Sequence, residues 1–199
     1  MTLHFKSSGM IRFRRSLDRS TAAKPTPLQA LPISHFEGFM GIAASELCRY
    51  VIRPTLLYLE RHSATAESLL LGIAASQSAL GSALHDRRGH GLYRITETRH
   101  QALWDHYLAR DPERASLVRG LASQHAFLSG PHLELTVNLR YATAIAWLLV
   151  EEQNTPLPDA DDLLGMARIW RQTFHPQGRL RDFTCAWQSC VSPLNQVAC

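Results

Sequence analysis

Apolar residues recur at helical spacing along one stretch near the middle of the chain. Leu70, Ile73, Gln77, Leu80 and Leu84 are separated by three, four, three and four positions, so they lie on one face of a predicted helix. Gln77 is the polar member of this apolar stripe. An amide buried without a hydrogen-bond partner costs about 1–3 kcal/mol, and leucine would avoid that cost. Position 77 is therefore the first candidate for a functional residue.

The same periodicity predicts a mainly α-helical domain that spans residues 40–190. Ser63 and Asp159 are suited to cap two of its helices. The segment from Leu92 to Ile95 is short and β-prone, so it is one strand of a small hairpin or an extended turn. The fold class is thus mainly α with at most a small β element. The predicted helices are 40–52, 55–61, 63–84, 98–109, 115–127, 132–150, 162–174 and 180–190.

The two ends of the chain lack helical periodicity. Residues 1–39 contain prolines and a basic cluster and are interpreted as an arm or linker, and residues 191–199 as a C-terminal tail. The formal charge of +4 is uneven: residues 1–24 sum to +5, and the remaining 175 residues sum to −1. Such an arm either contacts phosphates or an acidic protein surface, or is a solvated tail. Its charged residues are Lys6, Arg12, Arg14, Arg15, Asp18, Arg19 and Lys24.

The composition argues against several classes of protein. No apolar run approaches the ~20 residues of a membrane span, and the basic N-terminus lacks a secretory signal, so neither is expected. The four cysteines form no Cys-x-x-Cys pair, which favours reduced thiols over a disulfide framework. His85 and His90 are five positions apart, and His100 and His106 are six apart. Neither spacing is that of a helical zinc site, so we expect no metal and no cofactor.

Six segments, taken in order, resemble a known group of proteins. Residues 72–78 read GIAASQS, residues 91–95 read GLYRI, and residues 138–142 read NLRYA. This order resembles the lysozyme-like fold of the soluble lytic transglycosylase family. A closer likeness is to lysozyme-like proteins of tailed phages, and it covers about residues 43–187. In this likeness the three segments extend to 69–78, 91–100 and 138–146. The others are VIRPTL at 51–56 with Tyr58 and Leu59, PLPDADD at 156–162 and IWRQTF at 169–174.

The resemblance implies site residues and also reveals where this chain departs from the family. The catalytic glutamate of the family falls on Gln77, and the second acid falls on Thr96, with Glu97 displaced by one position. Tyr93 and Tyr141 fall where aromatic residues line the glycan-binding cleft of the proteins that this chain resembles, although core packing is an equal alternative for them. Gln77 itself is alternatively a buried amide satisfied by its neighbours. The candidate substrate-binding residues are Gln77, Tyr93, Arg94 and Tyr141, of which Arg94 replaces a glutamine of the family.

A glutamine at the position of the acid decides the expected chemistry. Cleavage of a glycosidic bond needs a carboxylic acid that protonates the leaving oxygen. Glutamine carries no such proton, and loss of a general acid costs at least ~10²–10⁴ in rate. The resemblance therefore implies an inactive structural component of a phage virion, in the tail, neck or baseplate. The alternative is an active peptidoglycan lytic transglycosylase or muramidase that uses Glu97 as a displaced acid.

The expected partners follow from this interpretation. Other virion proteins would bind residues 1–39, and the domain would be a repeated subunit of the assembly. Peptidoglycan is a further candidate ligand of the cleft. Nucleic acid is a candidate partner of the basic arm, although no recognition motif accompanies the charge.

Overall fold

The structure is a computed structural model that describes residues 41–82, 89–123, 128 and 130–192. The predicted arm at 1–39 and most of the predicted tail at 191–199 lie outside these described residues. Within them the chain is helical and contains no strand, and His90 and Ile95 form an isolated antiparallel bridge. The predicted mainly α class is therefore confirmed, and the β-prone segment from Leu92 to Ile95 belongs to a turn.

Eight helical elements make up the described part of the chain. α1, residues 44–58, runs without interruption through Ala44–Leu47, the π-helical Cys48–Ile52 and Arg53–Tyr58. α2 is Ala64–Ser78, and α3, residues 97–110, joins Glu97–Ala102, the π-helical Leu103–Tyr107 and the 3₁₀-helical Leu108–Arg110. The remaining five are α4 (Pro112–Leu121), α5 (Glu134–Val137), α6 (Leu139–Glu151), α7 (Leu163–Thr173) and α8 (Leu180–Cys190).

The two helices predicted at 40–52 and 55–61 are one helix, α1. Proline has no N–H, and its ring clashes with the carbonyl four residues earlier, so it usually ends or kinks a helix. Here a π-helical segment comes directly before Pro54, and the Arg53 amide donates to the Cys48 carbonyl five residues back. This wider turn accommodates the proline ring, so the helix continues to Tyr58.

α2 forms the centre of the core. Ser63 caps it as predicted, because its hydroxyl accepts a hydrogen bond from the Ala66 amide at 3.1 Å. α8 packs directly against the backbone of α2, since the Phe183 ring fills the space that a side chain at Gly72 would need. Burial on all sides is typical of a helix surrounded by other elements. The buried residues of α2 are Ala66, Leu69, Leu70, Leu71, Gly72, Ile73, Ala74, Ala75, Gln77 and Ser78.

α2 ends before the predicted Leu84, which lies outside the described residues. Ala79 and Leu80 adopt left-handed backbone conformations, with φ of 48° and 52°, and the chain leaves the helix there. Leu80 is nevertheless fully buried, and its carbonyl accepts a hydrogen bond from the Ile42 amide at 2.8 Å. A tertiary contact, rather than a continued helix, therefore keeps Leu80 in the buried stripe.

The single long helix predicted at 132–150 is wrong, because Asn138 separates α5 from α6. The Asn138 backbone is extended, and its Oδ1 accepts from the Tyr141 amide at 3.1 Å, which caps α6. Its Nδ2 donates to the Leu121 carbonyl at 2.8 Å and to Glu134 Oε2 at 2.9 Å. One asparagine side chain thus joins the end of α4 to α5 and α6.

Other helix boundaries also depend on caps. Asp111 caps α4, which begins at Pro112 rather than at the predicted 115. α7 is capped by Asp162, whose Oδ1 accepts from the Gly165 amide at 2.8 Å, and not by the predicted Asp159. α8 agrees with the predicted helix at 180–190, and Val191 beyond it is buried in the core. None of the described helices is both long and apolar enough to span a bilayer.

Candidate functional site

A turn at residues 89–96 lies against the C-terminal end of α2. The Ser78 hydroxyl donates to the Leu92 carbonyl at 2.7 Å, and it also accepts from the Gly81 amide at 3.0 Å. Ser78 is buried, so this bond is shielded from water and is more favourable than an exposed one. Ser78 therefore fixes the 89–96 turn beside the C-terminal end of α2.

The conformation of this turn depends on a glycine. Backbone hydrogen bonds of 2.9 Å and 3.2 Å between His90 and Ile95 close the turn. Gly91 has a φ of 65°, and a side chain there would collide with the Leu135 carbonyl of α5. Glycine alone combines an unstrained positive φ with the absence of a side chain. Gly91 therefore lets the turn lie directly against the backbone of α5, while Leu92 of the turn bonds to Ser78 of α2.

A cleft of about 460 Å³ opens between α2, the turn and the segment that follows α7. Gln77 stands on its wall with only 5% of its surface exposed, and Arg94 and Thr96 of the turn stand beside it. The structure thus brings together three of the positions singled out in the sequence. The segment after α7 completes the wall with Phe174, His175, Pro176 and Gln177.

The described residues that line this cleft include no carboxyl group. They supply two amides, a guanidinium, a hydroxyl, an imidazole and an aromatic ring, which can hydrogen-bond to or pack against a polar ligand. Glycoside hydrolysis in most families uses a pair of carboxyl groups on either side of the scissile bond. The described lining of the cleft therefore offers groups that can bind a polar ligand and no carboxylic acid of the kind that most glycoside hydrolases use.

Glu97, the candidate for a displaced acid, is not among the residues that line the cleft. It is the first residue of α3, its side chain is 63% exposed, and Oε1 lies 3.1 Å from His90 Nε2. The preceding Thr96 caps α3, with its hydroxyl accepting from the Arg99 amide at 3.3 Å. The α3 cap therefore fixes where the chain turns from the cleft into the helix, and it leaves Glu97 on the exposed first turn of α3.

The structure places Tyr93 and Tyr141 in the core rather than on the cleft. Both are fully buried. The Tyr93 hydroxyl lies 3.0 Å from Thr143 Oγ1, and the Tyr141 hydroxyl lies 2.7 Å from His100 Nε2. Burial raises the pKa of both phenols, so both remain protonated at neutral pH. Of the four candidate substrate-binding residues, Gln77 and Arg94 line the cleft, and the two tyrosines hold α6 in place.

His90, His100 and His132 lie close together where the 89–96 turn meets α3. His100 of α3 is buried, and its Nδ1 lies 2.9 Å from Nδ1 of His132. The His132 ring in turn stacks on His90, with centroids 6.1 Å apart. Burial, then His132 and His90, lower the pKa of His100 to about 4, so it is neutral at pH 7. Sequence spacing alone could not reveal this cluster, because His132 is 32 positions from His100.

Glu134 is a buried carboxyl that no pattern in the sequence singles out. It is fully buried, and its Oε2 accepts from the Ser123 amide at 3.1 Å and from Asn138 Nδ2 at 2.9 Å. Its Oε1 has no hydrogen-bond partner among the described residues. Glu134 is not part of the cleft wall, and its contacts organise the connection between α4 and α6.

The comparisons add no family to this geometry. The chain matches no protein-family model, no curated protein and no solved structure. Within the described ranges, no group of three or more His, Cys, Asp or Glu side chains is arranged to hold a metal ion. The structure establishes the helical class. The lysozyme-like assignment is not confirmed and stays a proposal.

Proposed function

We propose that this chain is a non-catalytic lysozyme-like domain that serves as a structural component of a phage particle. The observation that carries the proposal is the cleft beside Gln77, whose described lining residues include no carboxyl group. Gln77 stands at the end of the buried helix α2, and burial of this kind raises the pKa of a carboxylic acid. The position therefore has the surroundings of a general acid, but its amide has no proton to deliver.

The alternative enzyme would need Glu97 to supply that proton. Purified Glu97→Gln protein, compared with wild type on bacterial sacculi, distinguishes the two functions. Glu113→Gln is the matched control, because Glu113 is also an exposed carboxylate in the first turn of a helix. We expect none of the three proteins to release soluble fragments. Wild-type turnover that Glu97→Gln abolishes and Glu113→Gln retains would establish the enzyme instead.

The role in the particle rests on the resemblance to tailed-phage proteins and on the basic arm at 1–39. Mass spectrometry of purified particles, followed by cryo-electron microscopy, would test this role. We expect the chain as an ordered subunit repeated at a fixed copy number, and a chain lacking residues 1–39 should be incorporated less. Absence of the full-length chain from purified particles would contradict the structural role.

The charge of the arm permits a second partner, nucleic acid. Affinity for duplex DNA that falls steeply with salt, and that is lost with residues 1–39, would favour that partner. Binding to other particle proteins that persists at high salt would favour contacts between subunits.

A further inference from the structure

The three buried or half-buried histidines connect separate segments of the fold. His90 belongs to the 89–96 turn, His100 to α3, and His132 to the segment just before α5. His132 contacts both of the others, through the Nδ1–Nδ1 pair at 2.9 Å and the stacked rings at 6.1 Å. The turn that carries Arg94 of the cleft is therefore tied to α3 through imidazole contacts.

Trp104 indicates which nitrogen of His100 carries the proton. An indole N–H can only donate, and this one approaches His100 Nε2 at 3.2 Å and the Tyr141 hydroxyl at 3.1 Å. His100 Nε2 therefore accepts, and the single proton of the neutral ring is on Nδ1. Since Nδ1 then donates to His132 Nδ1, neutral His132 carries its own proton on Nε2.

A further proton on His132 is incompatible with this arrangement. It would have to bind Nδ1, where it would oppose the N–H of His100 across 2.9 Å. Glu97 Oε1 lies 3.1 Å from His90 Nε2, and a charged His90 would place a cation against the His132 ring. Two further charged residues of the described chain act on neighbours of the cluster. Arg119 lies 5.3 Å from the Trp104 ring, and Glu134 acts electrostatically on Tyr141.

We propose that His90, His100 and His132 form an acid-sensitive switch. In this arrangement the three rings hold the 89–96 turn and the segment before α5 against α3. Protonation of His132 breaks its bond to His100, and the turn and the segment separate from α3. The switch does not depend on the proposed function, because it rests only on contacts within the fold.

Imidazole nitrogen NMR of the full chain tests the hydrogen-bond arrangement directly. At about pH 7.5 we expect the Nδ1–H form for His100 and the Nε2–H form for His132. An Nε2–H form for His100 would overturn the proposal, because its Nδ1 would then accept a proton from His132 without conflict.

Hydrogen exchange tests the opening. Peptides that cover 89–96 and 130–137 should lose protection by about tenfold between about pH 7.5 and pH 5, after correction for intrinsic exchange, while α6 stays protected. His132→Phe keeps a stacked ring that takes up no proton, so the pH dependence of both segments should vanish. His106→Phe, at an exposed position of α3, is the matched control and should keep it. Unchanged protection in wild type, or pH dependence that persists in His132→Phe, would overturn the switch.

Discussion

The phenol of Tyr93 shows how a residue expected at a ligand site acts in the core. Its hydroxyl pairs with Thr143 Oγ1, and Thr143 also donates to the Leu139 carbonyl at 2.7 Å. Tyr93→Phe should therefore lower the free energy of unfolding by about 1 kcal/mol in a urea titration. Tyr50→Phe, at a tyrosine that is 62% exposed, should stay within about 0.5 kcal/mol of wild type. Equal effects of the two changes would contradict the core role of Tyr93.

Gly91 fixes the turn beside the cleft through its backbone. Gly91→Ala adds a side chain at positive φ and against the Leu135 carbonyl, so it should destabilise the protein by at least about 2 kcal/mol. Gly130→Ala is the matched control, because a Cβ there would lie 3.7 Å from Leu133 Cβ, an ordinary van der Waals contact among the described residues. Thermal unfolding of both variants measures the difference. A stable Gly91→Ala protein would show that the turn is not held against α5.

Among the helix caps, Asn138 makes more hydrogen bonds than Asp162. Asp162 caps α7 through one hydrogen bond, so Asp162→Ala should cost about 1 kcal/mol. Asn138→Ala loses the cap of α6 and also leaves the Leu121 carbonyl and Glu134 Oε2 without its amide, which adds about 1–3 kcal/mol. Chemical denaturation should rank the two variants in that order. The reverse order would contradict the role of Asn138 in joining three helices.

Helical periodicity in the sequence predicts where helices lie, because each helix must bury an apolar face. It does not predict where they break. The end of α2 depends on the contact of Leu80 with Ile42, and the division between α5 and α6 depends on contacts of Asn138 with Leu121. Both contacts join segments that are distant in sequence. Their effect on the helix ends could therefore be known only from the fold.

For the whole molecule, the burial of His100 and the ion pair of Glu67 each make stability depend on pH. The pKa of His100 is about 4 in the folded chain against 6.5 for the ordinary group, so the unfolded state binds the proton first. The free energy of unfolding should therefore fall as the pH is lowered from about 6.5 to about 4. His100→Asn should remove this step in urea titrations across that range. A wild-type protein equally stable at both ends of the range would contradict the burial of His100.

Glu67 adds a second step at lower pH. Its bond to Arg53 lowers the pKa of the carboxyl from 4.5 to about 2, so the pair contributes above about pH 4.5 and is lost as the pH falls toward 2. Glu67→Gln should remove this step and leave the His100 step intact. A step near pH 3 that persists in Glu67→Gln would show that another carboxyl is responsible.

The cleft itself combines predicted and unpredicted parts. Gln77 stands out in the sequence, because a polar side chain in a buried apolar stripe costs free energy unless it forms hydrogen bonds. The positions of Arg94 and Thr96 followed from the resemblance, and the structure brings them to Gln77. The wall formed by Phe174 and its neighbours was not predicted, because it comes from a segment after α7. Spacing along the chain carries no information about such a contact.

Muropeptide release from purified sacculi by the wild-type protein tests the proposed non-catalytic role most directly, since the described lining of the cleft has no carboxyl group. Soluble products would be identified by mass spectrometry at several pH values, with an active muramidase as the positive control. We expect no product above a protein-free blank. Reducing or anhydro muropeptides that increase in proportion to wild-type protein would contradict it.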